Sequence, residues 1–230
     1  MSWTAHLRKA LTLSYDDGNE ADAHLIELLR DYGVKCTFNL NSGLNAANGS
    51  WQYKEVWVSR LDLETCTDLY RGHEIAVHGK RHLAPTSLDD AALHEEYADD
   101  LEALTRIFGK APVGMAYAYG DYNDRVVEEL NSLGLQYGRT VWENHDFSLQ
   151  SDLMRFRPTC HHDDEALFDL IAQFLALPDD APAVFFLWGH TYEFDGNHNW
   201  DRLERALERL AGRNDVFYGT NAQVLLGLDE

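Results

Sequence analysis

Two adjacent carboxylates, Asp16 and Asp17, stand where the apolar run of LTLSYDDGNE ends and a turn glycine begins. Further on, HGKRH places His78 and His82 four residues apart. On a helical turn that spacing puts both imidazoles on one face, where they can share a cation, and a carboxylate from another strand completes a three-ligand site with open positions. Two acids then permit a division of labour. One binds the metal, which acidifies a coordinated water, while the other accepts the proton that water loses on attacking a carbonyl. The leaving group needs an acid, and a histidine, with a pKa near neutrality, suits that task. The plainer alternative is a capped turn in which backbone amides hold Asp17 before Gly18; it requires nothing of His78 or His82.

Bringing these residues together is a matter of topology. Apolar or β-rich runs at Ala10–Tyr15, Lys35–Leu40, Glu74–Val77, Val113–Tyr117, Leu135–Thr140, Ala183–Trp188 and Val216–Gly219 predict strands, several apolar throughout, as strands covered on both faces are. Helical periodicity lies between them: Ala23, Ile26, Leu29 and Tyr32, then Leu93, Tyr97, Leu101, Leu104 and Phe108 behind a Ser87 N-cap, with further helices near 126–133, 165–177 and 200–210. This alternation predicts right-handed crossovers and a mainly parallel sheet, open or closed into a barrel. In a barrel the strand C-termini share one rim, so Asp16, Asp17, His78, His82, Tyr119, Asp121, His161, His162 and His190 converge there. Residues 41–60 read as an insertion after the second strand, and its Trp51, Tyr53 and Trp57 either stack on sugar rings or pack the insertion onto its own domain.

The chain has 230 residues, 45% hydrophobic and 25% charged, which suits one domain spanning residues 1–230. Its 39 acidic and 19 basic residues give a formal charge of −20, which opposes nucleic acid and anionic membranes as partners. No signal-peptide core or membrane span is visible, so a cytoplasmic protein is expected. Cys36, Cys66 and Cys160 are too few and scattered for a disulfide framework and read as buried hydrophobes. No Gly-rich phosphate loop and no Gly-x-Ser-x-Gly occurs.

SYDDG, HGKRH and FFLWGH, in that order and spacing, resemble three motifs of the polysaccharide deacetylase family, carbohydrate esterase family four, also called the NodB-homology domain. The resemblance runs from Leu11 to about Asn221 and implies a distorted (β/α) barrel of seven or eight mainly parallel strands. It also implies Asp16 as general base, Asp17, His78 and His82 as metal ligands and His190 as general acid. Of the family's third motif, Arg-x-Pro-Tyr-Gly, only Tyr119 and Gly120 match in AYAYG; the Tyr119 backbone N–H would help hold the oxyanion. Ala116 stands where the family's arginine orients the base, so the partner of Asp16 is unassigned. Gly79 replaces a hydroxyl residue, Thr191 follows His190 in place of an acid, and the fourth motif has two possible counterparts, His145–Phe147 and Arg157–His162. MAYAYG, PTCHH and LWGHTYEFD together look like a compact, signal-less bacterial subgroup of the family.

The expected activity is therefore metal-dependent removal of an N-acetyl or O-acetyl group from a sugar or short oligosaccharide. Zinc is the first choice of ion for one carboxylate and two imidazoles with room for water; cobalt, nickel or manganese suit the same site. One of His161 and His162 is expected to bind substrate or orient His190, because adjacent side chains in an extended chain point to opposite sides. Glu193 and Asp195 either orient His190, bind sugar hydroxyls or belong to a solvated loop. His6, His24, His73, His94, His145 and His198 carry no assigned role, and oligomeric state is not legible. Two rival readings are a hydrolase of another small C–N amide bond on the same barrel and a non-catalytic carbohydrate-binding relative.

Overall fold

The computed structural model describes residues 3, 7–178 and 180–228; His6 lies outside them. The elements are β1 (Lys9–Asp16), α1 (Asp22–Tyr32), β2 (Thr37–Leu40), β3 (Trp51–Tyr53), β4 (Val56–Val58), β5 (Glu74–Val77), α2 (Asp90–Phe108), β6 (Gly114–Ala116), α3 (Asp124–Ser132), β7 (Tyr137–Arg139), β8 (Cys160–His161), α4 (Leu167–Ala176), β9 (Ala183–His190), α5 (Thr191–Asn197), α6 (Trp200–Leu210) and β10 (Val216–Tyr218). One sheet runs β7-β6-β5-β2-β1-β9-β8, with β10 beside the start of β1, and every pairing in it is parallel. The sheet curls into the expected distorted barrel. Its edges are bridged by the chain entering β8: Phe156 exchanges backbone hydrogen bonds with Gly138 and Thr140, and the Thr159 N–H donates to the Phe186 carbonyl at 3.0 Å.

Period-two alternation decides which side chains meet inside. On β1, Leu11, Leu13 and Tyr15 face the helices and join the main apolar core, as do Phe185 and Leu187 on β9. The opposite parity, Ala10 with Val184, Phe186 and Trp188, forms a second cluster that includes Tyr137 of β7 and Phe156. Asp16 continues the second parity, and register places it opposite Asn39 of β2 on one side and His190 of β9 on the other. Arg139, two residues after Tyr137, shares that parity on β7. β1 and β9 are buried on both faces, so β9 reads as a near-continuous apolar run until its polar end, while β1 keeps Thr12 and Ser14 on its inner parity, bonded to Asn221 and Asn39.

Three local expectations are corrected. The cap of α2 is Asp89, whose carboxylate accepts from the Ala92 N–H at 2.9 Å, not Ser87, which sits in a preceding short 3₁₀ turn. HGKRH is not helical: it forms a loop in which Gly79 and His82 have φ of 82° and 56°. His161 and His162 do not diverge. β8 ends at His161, so alternation stops there, and the two rings lie 4.2 Å apart. The insertion forms the antiparallel β3–β4 hairpin, and Trp51 and Tyr53 pack it onto α5 through Tyr192, while Trp57 is exposed. No helix among the described residues is long and apolar enough to cross a membrane.

Gly189 shows how tightly the outer parity is packed behind the rim. A Cβ there would lie 2.0 Å from His162 Nδ1, and His162 is itself clamped against Phe194 at 4.0 Å. Gly189→Ala is therefore expected to cost about 1–3 kcal/mol of stability in a denaturant titration; an unchanged midpoint would show that the His162 ring has room to move.

Candidate active site

Asp16 is buried at the end of the central strand and must be compensated there. Asn39 Nδ2 donates to its Oδ1 at 2.8 Å, and the guanidinium of Arg139 pairs with its Oδ2. Arg139 is fully buried, with its guanidinium 4.3 Å from the Trp188 ring. Burial alone would raise the Asp16 pKa, but Arg139, aided by His78 and His190, holds it below the ordinary carboxylate value. The partner that Ala116 does not supply comes from the neighbouring strand. Ala116 keeps a different role, its carbonyl lying 2.8 Å from His78 Nδ1.

That contact places the His78 proton on Nδ1 and turns the bare Nε2 towards Asp17. The turn after Asp16 has Asp17 at φ 83°, so its carboxylate leaves the alternation of β1. Asp17 Oδ1 lies 3.8 Å from His78 Nε2 and 3.6 Å from His82 Nε2. Ligand atoms about 2.1 Å from one tetrahedral ion stand about 3.4 Å apart, so this trio fits a single zinc-like cation. Burial raises and Arg60 then lowers the Asp17 pKa, leaving it ionised; burial drops His82 to about 4 and lowers His78 as well, leaving both imidazoles neutral. Deprotonated donors of this kind are what a metal requires.

The loop carrying these side chains is held from behind. Arg60 donates to Asp17 Oδ1 at 2.8 Å, to the Asp17 carbonyl and to Asn41 Oδ1 at 2.5 Å. On α2, Glu96 and Asp100 sit one turn apart and are both buried. Glu96 accepts from the Arg81 N–H at 2.6 Å and Arg81 Nε at 2.8 Å, and Asp100 from the N–H groups of Ser42 and His78 at 2.8 and 3.3 Å. Gly79 is explained by the same packing: φ is 82°, and a Cβ would lie 3.2 Å from Glu96 Oε1.

Opposite the trio, His190 Nε2 stands 3.8 Å from Asp16 Oδ2, and Nδ1 lies 3.3 Å from Glu193 Oε2 in an ion-pair contact. Burial pulls His190 down, but Glu193, with Asp16 and Asp17, lifts it to about 9. Glu193 also faces His161 Nε2 at 3.0 Å and His162 Nε2 at 3.4 Å. These three residues have spacing compatible with a metal. However, the Asp163 N–H donates to His161 Nδ1 at 3.1 Å, which leaves the His161 proton on Nε2 pointing at Glu193. His161 is thus a hydrogen-bond donor there, not a ligand. His162 is 1% exposed and lies behind the rim. Thr191 is buried, receives Asn19 Nδ2 at 2.8 Å and donates to Asp22 at 2.6 Å, tying α5 to the turn after Asp17. Asp195 accepts from Trp200 and His145 pairs with Asp164, both outside this group.

Sequence reasoning missed Arg139, Asn39, Arg60, Glu96 and Asp100. Arg139 carries a readable signal, a cation within the predicted strand Leu135–Thr140, which demands a counter-ion when buried. A cleft of about 430 Å³ opens beside Asp17 and His82, bordered by Trp51, Arg60, Tyr119 and Tyr192. Tyr119 takes φ 59° and sets its ring edge against His82, 4.5 Å between centroids.

The family described as polysaccharide deacetylase matches residues 5–138 of the chain. No curated protein matches it in sequence. Among solved structures, a family 4 carbohydrate esterase from Streptomyces lividans, bound to acetate, is 17% identical over 93% of each chain, with a TM-score of 0.61. An allantoinase, PuuE, is 14% identical over 96% of this chain and 90% of its own, with a TM-score of 0.71. A CE4 family pseudoenzyme from Bacillus anthracis is 13% identical over 95% of this chain and 66% of its own, at 0.59. At these identities the structural likenesses establish the fold.

Arg139→Met leaves Asp16 buried without its guanidinium and is expected to cost about 3–5 kcal/mol. Adding Asp16→Leu should recover much of that loss in urea titrations. A single variant as stable as the parent would show that another group neutralises Asp16.

Proposed function

The chain belongs to the polysaccharide deacetylase family, and from that premise we propose that it hydrolyses the acetyl amide of an N-acetylated sugar in a metal-dependent reaction. The observation that carries this reading is the separation of two adjacent acids. Asp17 faces both His78 Nε2 and His82 Nε2, while Asp16, although its Oδ2 is also 3.8 Å from His78 Nε2, is paired with Arg139 and faces His190.

Asp17, His78 and His82 would hold the cation, with zinc the first choice for this donor set. Such an ion supplies Lewis acidity, acidifying water and polarising an acyl carbonyl. Asp16, ionised and fixed by Asn39 and Arg139, accepts the proton of the attacking water. The Tyr119 backbone N–H stabilises the oxyanion as the tetrahedral species forms. His190, kept protonated by Glu193, gives its Nε2 proton to the departing nitrogen as the C–N bond breaks, releasing acetate and a free amine. An O-acetyl ester asks less of His190, since an alkoxide leaves more readily than an amide nitrogen. His161, donating to Glu193, fixes the orientation of that carboxylate.

Two experiments test the assignments. Asp17→Ala should lose stoichiometric zinc in dialysed protein, whereas Asp16→Asn should keep it and lose turnover by at least about 100-fold; zinc retained by Asp17→Ala contradicts the ligand role. Because His190 is raised to about 9, activity that needs its proton persists through neutral pH and declines as pH rises towards that value. Glu193→Gln removes the stabilising charge, so the alkaline limb of kcat/KM should move to lower pH; an unmoved limb would assign the acid elsewhere.

A further inference from the structure

The rim is obstructed on one side of the metal ligands and open on the other. The β3–β4 hairpin crosses from the end of β2 to α5, where Trp51 and Tyr53 meet Tyr192 edge to face at 5.1 and 5.0 Å. Tyr53 lies so close on Gly196 that a Cβ there would be 2.6 Å from its ring, and His198 contacts Glu55 at 2.8 Å. The base of the hairpin is fastened to the turn carrying Asp17: the Glu20 N–H donates to Ser59 O and the Leu61 N–H to Gly18 O, each at 2.9 Å, and Arg60 binds Asp17 itself. The hairpin is therefore a fixed wall, held by aromatic packing and hydrogen bonds at both ends.

The cleft beside this wall measures about 430 Å³, near the low end for small-molecule sites. That suits one or two pyranose rings. Tyr192 and Trp51 stand on the hairpin side, and Arg81, His82 and Tyr119 on the other. Away from the hairpin, the loops after β6 and β7 present Tyr119 and Trp142, which are 69% and 62% exposed. Gly120 packs on Val141 so tightly that a Cβ would be 2.2 Å from it, which keeps these two loops together. Aromatic faces held on a rim offer apolar area to the C–H faces of sugar rings.

We propose that this chain acts on the terminal residue of a glycan or on a free small acetylated glycoside, its closed side formed by Trp51, Tyr53 and Tyr192 and further rings leaving over Tyr119 and Trp142. The proposal rests on the deacetylase reading and adds where along a glycan the amide is cut. The hairpin would stand in the way of a polymer continuing past Asp17 and His82 on the side of Trp51 and Tyr192.

The test uses the zinc-loaded full chain with N-acetylglucosamine, its β-1,4-linked oligomers of increasing length and the polymer, locating the free amine by mass-spectrometric sequencing. One free amine per chain, at a terminal residue whatever the length, is expected. Tyr53→Ala, which loosens the closed side, should add internal free amines; where that variant fails to fold, the wild-type pattern decides alone. Internal deacetylation by the wild type at rates comparable to the terminus overturns this inference and leaves the deacetylase reading standing. Turnover of none of these sugars overturns both.

Discussion

Two ionised carboxylates next to each other in the chain cannot both be buried at one strand end without separate compensation. The rim is organised around that constraint. Asp16 follows the strand parity into the barrel, where Asn39 and Arg139 receive it; Asp17 leaves it through a left-handed residue and is received by Arg60. The arginines come from opposite directions, β7 on one side and the insertion on the other, so the two acids are paired with different guanidiniums despite sharing a peptide bond. Asp16 is held between the imidazoles of His190 and His78, and Asp17 beside those of His78 and His82.

The same logic extends outward. The loop carrying His78 and His82 has no helical structure and needs its backbone amides satisfied, and Glu96 and Asp100 of α2 do this from a single helical face. His190 needs a permanent anion to stay protonated in a buried position, and Glu193 supplies it from the first turn of α5, one helical turn along. Glu193 in turn faces both His161 and His162, and of the histidine pair that the sequence singled out only His161 donates to it, while His162 is buried beside it.

Much of this was legible because it is local. The apolar runs of β1 and β9, ending in Asp16–Asp17 and in His190, announce both strands and their polar tips, and alternation with helices announces the parallel sheet. What was not legible depends on register between distant strands. Nothing near Ala116 reveals that Arg139 replaces the missing arginine, because the substitution is made across the β6–β7 pairing, where Ala116 lies opposite Arg139. Gly79 looks like the loss of a supporting hydroxyl until Glu96 is seen against it. The helical reading of HGKRH failed because i, i+4 spacing also fits a loop, and two left-handed residues with backbone anchors on α2 settle which. The hairpin's aromatics are told apart by its register: Trp51 and Tyr53 share one face of β3, whereas Trp57 lies opposite Gln52 and is exposed.

The division of the two acids is tested most directly by an anomalous difference map from crystals grown with zinc. The account predicts one peak about 2.0–2.2 Å from an Asp17 oxygen and from Nε2 of His78 and of His82, with Asp16 still paired to Arg139. A peak ligated by Asp16, a peak at His161, His162 and Glu193 instead, or no peak at all would contradict it.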